Sequence, residues 1–212
     1  MKKIGIKVCG MKSNCDQVVS LAPDYVGFIF YGKSPRYWEG ELPEIPQHIG
    51  RVGVFVNATV TTIKDITMRY GLAVIQLHGD ETPEFCKALR NEILQHYEQK
   101  IELWKVFAIK NTIHWEDILP YEKVADKYLF DTKGDSRGGN GETFDWSLLK
   151  TYPSEKPFIL SGGIGQEHLK LIREINSSKL PLYAVDVNSR FEHAPGRKNI
   201  ATLKKFIDEL SY

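Results

Sequence analysis

Short apolar runs, each ending on a polar residue or a glycine and most followed by helical spacing, recur from one end of the chain to the other. The first is Ile4 to Met11, which stops at Cys9-Gly10. Period two puts Ile6 and Val8 on one strand face and Lys7 and Cys9 on the other. Burying a lysine and a thiol at the C-terminal end of a strand for packing alone is costly, so this end is expected to be a site. Ser13 to Leu21 then reads as a helix, Tyr25 to Phe30 as a buried strand, Tyr31 to Leu42 as a polar loop carrying Arg36, and Pro43 to Ile49 as a short helix.

The alternation repeats with a strand over Arg51 to Val56 and a helix over Thr59 to Tyr70 that ends at Gly71. A fourth strand, Ala73 to Gly79, contains His78 and precedes a helix over Thr82 to Gln95. Leu103 to Phe107 is the fifth strand, and the helix expected over Thr112 to Val124 is interrupted by Pro120. The sixth strand, Tyr128 to Thr132, runs into a glycine-rich loop, Gly134 to Gly141, and a short helix near Trp146 to Lys150. The seventh, Phe158 to Gly163, leads into a helix over Gln166 to Asn176. Tyr183 to Asn188 is the eighth, and Gly196 to Leu210 closes the chain as an amphipathic helix.

Eight strand-helix units in 212 residues average about 26 residues each, which fits an α/β fold closed as a (β/α)8 barrel, at the compact end of its range. An open doubly wound sheet is the alternative, but the first strand-helix turn lacks its G-x-G-x-x-G fingerprint. No linker, composition break or low-complexity segment divides the chain, so residues 1–212 are expected to form one domain. The formal charge is +1 without basic or acidic blocks, which argues against a nucleic-acid or membrane partner and for a small molecule. Cys9, Cys15 and Cys86 lack the pairing and spacing of a disulfide or zinc framework. With no leader-like start and no apolar run near the ~18 residues of a membrane span, a soluble cytoplasmic protein is expected.

In a barrel, the chemistry lies at the C-terminal strand ends, and the polar residues there are Cys9, His78, Asp131, Ser161-Gly162-Gly163 and Asp186-Val187-Asn188-Ser189, with Arg36 on the loop after the second strand. The glycines after strand seven, followed by a helix N-terminus, read as a phosphate cradle or as an ordinary tight turn. Asn188-Ser189 favours the first, because it lies where the second half of a barrel phosphate site is found. Asp131, next to Leu129 and Phe130, is either satisfied by local donors or held with a raised pKa for use as an acid. Arg36 is a solvated charge or a bidentate carboxylate grip. Cys9 is an apolar filler or a base, and His78 a binding residue or a core-edge histidine. Strand eight should pair with strand one on closure, so Asp186 is expected beside Lys7 as an ion pair beneath the site.

Together these pieces resemble the phosphoribosylanthranilate isomerases of tryptophan biosynthesis from the first strand to the last helix. The resemblance is carried by Lys7-Val8-Cys9-Gly10, Gly27 to Phe30 with Ser34-Pro35-Arg36-Tyr37, Gly53 to Asn57, Gln76-Leu77-His78-Gly79 and Phe130-Asp131-Thr132. It continues through Gly138 to Gly141 with Thr143 to Trp146, Ser161-Gly162-Gly163 and Val185-Asp186-Val187. It implies a metal-free, cofactor-free Amadori rearrangement in which Cys9 is the general base and Asp131 the general acid. It also implies that Arg36 holds the anthranilate carboxylate, that Gly162, Gly163, Asn188 and Ser189 hold phosphate, and that His78, Gly141 and Asp186 contact substrate. Apart from the resemblance, Lys7, two residues before Cys9 on the same inward face, is a candidate cation to lower the thiol's pKa, less effective if Asp186 neutralises it. The family's enzymes are single barrels, and a monomer or a homodimer is expected. This chain departs from the pattern at Arg190, where many members carry a small residue, and at Asn199, where aspartate is usual. Two other readings are the histidine-pathway aminoaldose isomerase, which would carry aspartate in place of Cys9, and a non-catalytic barrel that binds a phosphorylated ligand.

Overall fold

Eight parallel strands close on themselves in the computed structural model, which describes residues 3–97, 100–132 and 143–210. They are β1 (Gly5–Cys9), β2 (Tyr25–Ile29), β3 (Gly50–Phe55), β4 (Val74–Leu77), β5 (Glu102–Ile109), β6 (Lys127–Thr132), β7 (Phe158–Leu160) and β8 (Leu182–Val187). Sequential strands are neighbours, and β1 pairs with β8 to complete the barrel, with Lys7 opposite Asp186 in register. Closure pairs every strand on both sides and removes the open edges that a doubly wound sheet would keep.

Alternation along the strands builds two apolar layers. Ile6, Val8, Val26, Phe28, Ile75 and Leu77 belong to the large cluster between sheet and helices. Val52, Val74, Trp104, Val106, Leu129, Ile159 and Ala184, of the opposite parity, form a second cluster that fills the barrel interior. With this floor packed, the inward residues one step further along the strands, at the C-terminal face, are free to be polar.

The helices are α1 (Cys15–Val19), α2 (Val60–Tyr70), α3 (Pro83–His96), α4 (Trp115–Ile118), α5 (Leu169–Ser177) and α6 (Ile200–Leu210). Thr59 and Thr82 cap α2 and α3 by accepting from Thr62 N–H (3.1 Å) and Phe85 N–H (3.3 Å), and Gly71 ends α2 in the left-handed conformation. Four expectations are corrected. Residues 43–49 form no helix; Pro43 and Pro46 each lack the N–H a helix uses, and the chain runs irregularly from β2 to β3. The helix after β5 is a four-residue α4 followed by a 3-10 turn over Leu119–Tyr121, with Pro120 at the break. Ser13 does not cap α1; Asn14 precedes it, and its side chain bonds elsewhere. The final helix starts at Ile200, not Gly196, because a small antiparallel hairpin, β9 (Glu192–Ala194) and β10 (Arg197–Lys198), intervenes with Gly196 at positive φ in its turn. Asn199 accepts from Thr202 N–H at 3.2 Å, a capping role in which Asn serves as well as Asp. Between β6 and β7 the described helix is a 3-10 segment, Trp146–Thr151. Gly141 and the loop from Gly134 lie outside the described residues. Among the described residues, no helix is long and apolar enough to cross a membrane.

Candidate active site

A cavity of about 310 Å³ opens at the C-terminal face of the barrel, lined by Cys9, Arg36, Gln76, His78, Asp131, Ser161, Gly162, Gly163, Asp186, Asn188, Ser189 and Arg190. Every site residue expected from the sequence is there except Gly141, which is outside the described residues, and Lys7, which lies beneath the floor.

Cys9 ends β1 and is buried. Room for it comes from Gly27 on β2. A Cβ there would stand 3.0 Å from the Cys9 sulfur and 3.2 Å from Lys7 Cε, so any larger residue would crowd both. Lys7 is wholly buried, and its ammonium donates to Asp186 at 2.6 Å. The expected pair beneath the site is therefore present. Burial works against the Lys7 charge, but Asp186, and to a lesser degree Cys9, more than offset it and raise its pKa. Burial pushes the Cys9 thiol above its ordinary range; Lys7 pulls it back, Asp186 adds to the rise, and Lys198 also lowers it. The resting residue is a thiol at neutral pH.

Across the cavity, Asp131 is satisfied by local donors. Its Oδ1 accepts from Thr132 N–H at 3.0 Å, and its Oδ2 is 3.2 Å from His78 Nε2. His78 is thus tied into the site and is not a core-edge residue. Its Nδ1 lies 3.1 Å from Gln76 Nε2. Gln76 Oε1 is buried without a partner among the described residues. Asp186 lines the same cavity, and its buried Oδ1 is likewise unpartnered among the described residues.

The turn after β7 contains Gly162 at φ 85° and Gly163 at φ 67°. A Cβ on Gly162 would run into the Thr132 backbone nitrogen and hydroxyl, so only glycine fits. Turns of this shape gather backbone N–H groups into an anion-binding concavity, and Asn188, Ser189 and Arg190 line its other side. Arg190, the departure noted in the sequence, sits 3.8 Å from Glu167.

Arg36 is not a solvated charge. Its Nε donates to both Glu192 oxygens at 3.0 Å and its Nη2 to Oε2 at 2.7 Å. Glu192 also accepts from Lys198 Nζ at 2.7 Å and from Gly196 N–H at 3.0 Å. Burial alone would raise this carboxyl, but the Arg36 and Lys198 bonds hold it below the usual carboxylate range. Sequence reasoning assigned no role to Gln76, Glu192 or Lys198. Gln76 stood inside a quoted motif, whereas Glu192 and Lys198 lie on a hairpin too short to show a period.

A family model described as N-(5'phosphoribosyl)anthranilate (PRA) isomerase matches residues 6–209. The chain belongs to that family. Among PRA isomerases, the protein of Parabacteroides distasonis is 39% identical over 97% of this chain and 92% of its own. A solved phosphoribosylanthranilate isomerase in complex with reduced 1-(o-carboxyphenylamino)-1-deoxyribulose 5-phosphate superposes with a TM-score of 0.77 at 30% identity, covering 98% of both chains. Monomers generated from the dimeric Thermotoga maritima PRA isomerase superpose with a TM-score of 0.75 at 32% identity, again over 98% of both chains. Membership in the PRA isomerases decides against the histidine-pathway alternative, and the protein is an isomerase of tryptophan biosynthesis.

Proposed function

We propose that this cavity carries out the PRA isomerase reaction with Cys9 as base and Asp131 as acid. The substrate, phosphoribosylanthranilate, is a glycosylamine, an N,O-acetal at C1, that must open to a Schiff base and then lose a proton from C2. Asp131 donates to the ribose ring oxygen, cleaving its bond to C1 and leaving an iminium on the anthranilate nitrogen. The Cys9 thiolate takes the C2 proton, the electron pair moves to neutralise the iminium, and the enolamine tautomerises to the ketone 1-(2-carboxyphenylamino)-1-deoxyribulose 5-phosphate. One acid and one base suffice, and the chemistry calls on neither metal nor cofactor.

The observation that carries this reading is that a thiol and a carboxyl line one cavity whose remaining wall supplies an anion turn and a guanidinium. Gly162, Gly163, Asn188 and Ser189 take the phosphate, Arg36 the anthranilate carboxylate, and Asp186 a ribose hydroxyl, with His78, itself against Gln76, holding Asp131 in place. Gly141 is carried by the resemblance alone. The thiolate is the minor form of Cys9 at neutral pH, so turnover should climb as pH rises toward its pKa. Freshly prepared phosphoribosylanthranilate, followed by the loss of its fluorescence, tests the reading; consumption no faster than spontaneous decay contradicts it and favours a barrel that only binds a phosphorylated ligand.

We also place the protein in the cytoplasm, working as one catalytic domain over residues 1–212. Its three cysteines are free and buried, as suits a reducing compartment. The dimeric Thermotoga maritima relative supports a homodimer, and light scattering on the purified protein distinguishes that from a monomer.

A further inference from the structure

Lys7, the first cation acting on the Cys9 thiol, is shared with Asp186, and a second cation reaches the thiol from another element. The hairpin after β8 provides it. Lys198 Nζ, with its side chain fully buried, donates to Glu192 Oε1 at 2.7 Å, to Asn188 Oδ1 at 2.7 Å and to the Asn188 carbonyl at 3.5 Å. Its backbone is pinned as well. Lys198 N–H donates to Asn14 Oδ1 at 2.9 Å, and Asn14 Nδ2 donates back to the Lys198 carbonyl at 3.0 Å. Glu192 is at the same time clasped by Arg36. Two cations therefore share one carboxylate, a formal charge of +1 for the trio; burial pulls the Lys198 pKa below its ordinary range, and Glu192 works against that fall.

This charge lies beside Gly10, the residue after Cys9, and acts on the thiol. Gly10 adopts φ +73°, and a Cβ there would stand 2.7 Å from both Arg36 Cδ and Asn188 Oδ1, the oxygen that Lys198 holds. Burying an ammonium is costly, and here Glu192 and Asn188 offset that cost by accepting from it. Without Lys198, the Arg36–Glu192 pair would be neutral, and the guanidinium would meet an anionic ligand with its charge already compensated.

Resting on the proposed roles of Cys9 and Arg36, we infer that Lys198 is a positioning residue. By sharing Glu192 with Arg36, it leaves one uncompensated positive charge at this wall of the cavity, which serves both the Cys9 thiolate and the carboxylate of the substrate. The other charged and titratable groups around Cys9 are Lys7 on its own strand, Asp186 on β8, Arg36 after β2, His78 beyond β4 and Asp131 on β6. Asp186 opposes Lys7 at the thiol, so Lys198 adds the next positive contribution.

The test compares Lys198→Met, Lys198→Arg and Glu192→Gln in the full chain, reading the pH dependence of Cys9 alkylation by iodoacetamide through peptide masses, together with KM. Lys198→Met should move the Cys9 profile to higher pH by about one unit and raise KM severalfold. Lys198→Arg should restore the profile. Glu192→Gln should move it the other way, to lower pH, because an anion has been removed. Loosening of the fold would shift both variants in one direction, so opposite shifts separate charge from structural damage. A Lys198→Met profile that overlays the wild type, or a Glu192→Gln shift in the same direction as Lys198→Met, overturns the inference. The alkylation profile needs no turnover, so it decides this claim even if the wild type fails to isomerise phosphoribosylanthranilate.

Discussion

Lys7 is wholly buried inside the barrel. An inward lysine two residues before Cys9 is unfavourable by itself, and the 2.6 Å bond to Asp186 is what makes it tolerable. Removing one partner strands the other in a dry interior. Lys7→Met is expected to cost about 3–5 kcal/mol in urea unfolding, and adding Asp186→Leu to recover much of that loss; a single variant as stable as wild type contradicts the pairing. The pair was legible in the sequence because barrel closure dictates that β8 meets β1, and the strand ends set the register. Arg36 was not. Its grip on Glu192 spans the loop after β2 and the hairpin after β8, and no local pattern relates two charges 156 positions apart. Cys9 governs the pH response of the proposed chemistry. Its folded pKa is raised, so the thiol form dominates through neutral pH, and kcat/KM should rise with pH until that pKa is passed. A rate that is flat from pH 6 to 9 would remove the thiolate from the mechanism.

At the level of elements, the strands were legible and several connections were not. Buried parallel strands are continuous apolar runs of limited length, a signal independent of their partners. Residues 43–49 and the helix over 112–124 failed for a shared reason: prolines remove backbone donors, and their effect on a marginal helix depends on the packing around it. The β9–β10 hairpin escaped because two- and three-residue strands carry no period. The turn after β7 read either as a plain turn or as a phosphate cradle; its two positive-φ glycines and their place on the cavity favour the second. Gly162→Ala, forced against Thr132, should raise KM at least tenfold while leaving the Cys9 alkylation profile in place. An unchanged KM would mean that phosphate is held elsewhere. Gly27→Ala should do the converse, crowding the Cys9 sulfur and lowering kcat more than it raises KM.

For the molecule as a whole, the acid side of the stability curve is set by carboxylates that folding strengthens. Glu192 and Asp126 both titrate below their ordinary range in the folded protein: burial opposes this in each, but Arg36 and Lys198 hold Glu192, and the Leu103 N–H and Arg90 hold Asp126. A depressed folded pKa gives stability that is present above the unfolded value and lost as pH falls through the folded one. Unfolding free energy should therefore decline below about pH 4, and Glu192→Gln should flatten that decline; an equal slope in the variant contradicts it. The barrel organises all of this by packing its lower interior with apolar side chains and leaving the C-terminal strand ends to carry polar ones. The central claim is that Cys9 and Asp131 divide the proton transfers between them. It is tested most directly by the steady-state isomerisation of phosphoribosylanthranilate by Cys9→Ser and Asp131→Asn beside the wild type. Each variant should lose about 10²- to 10⁴-fold in kcat, with KM little changed; a variant that keeps wild-type kcat would contradict the role assigned to that residue.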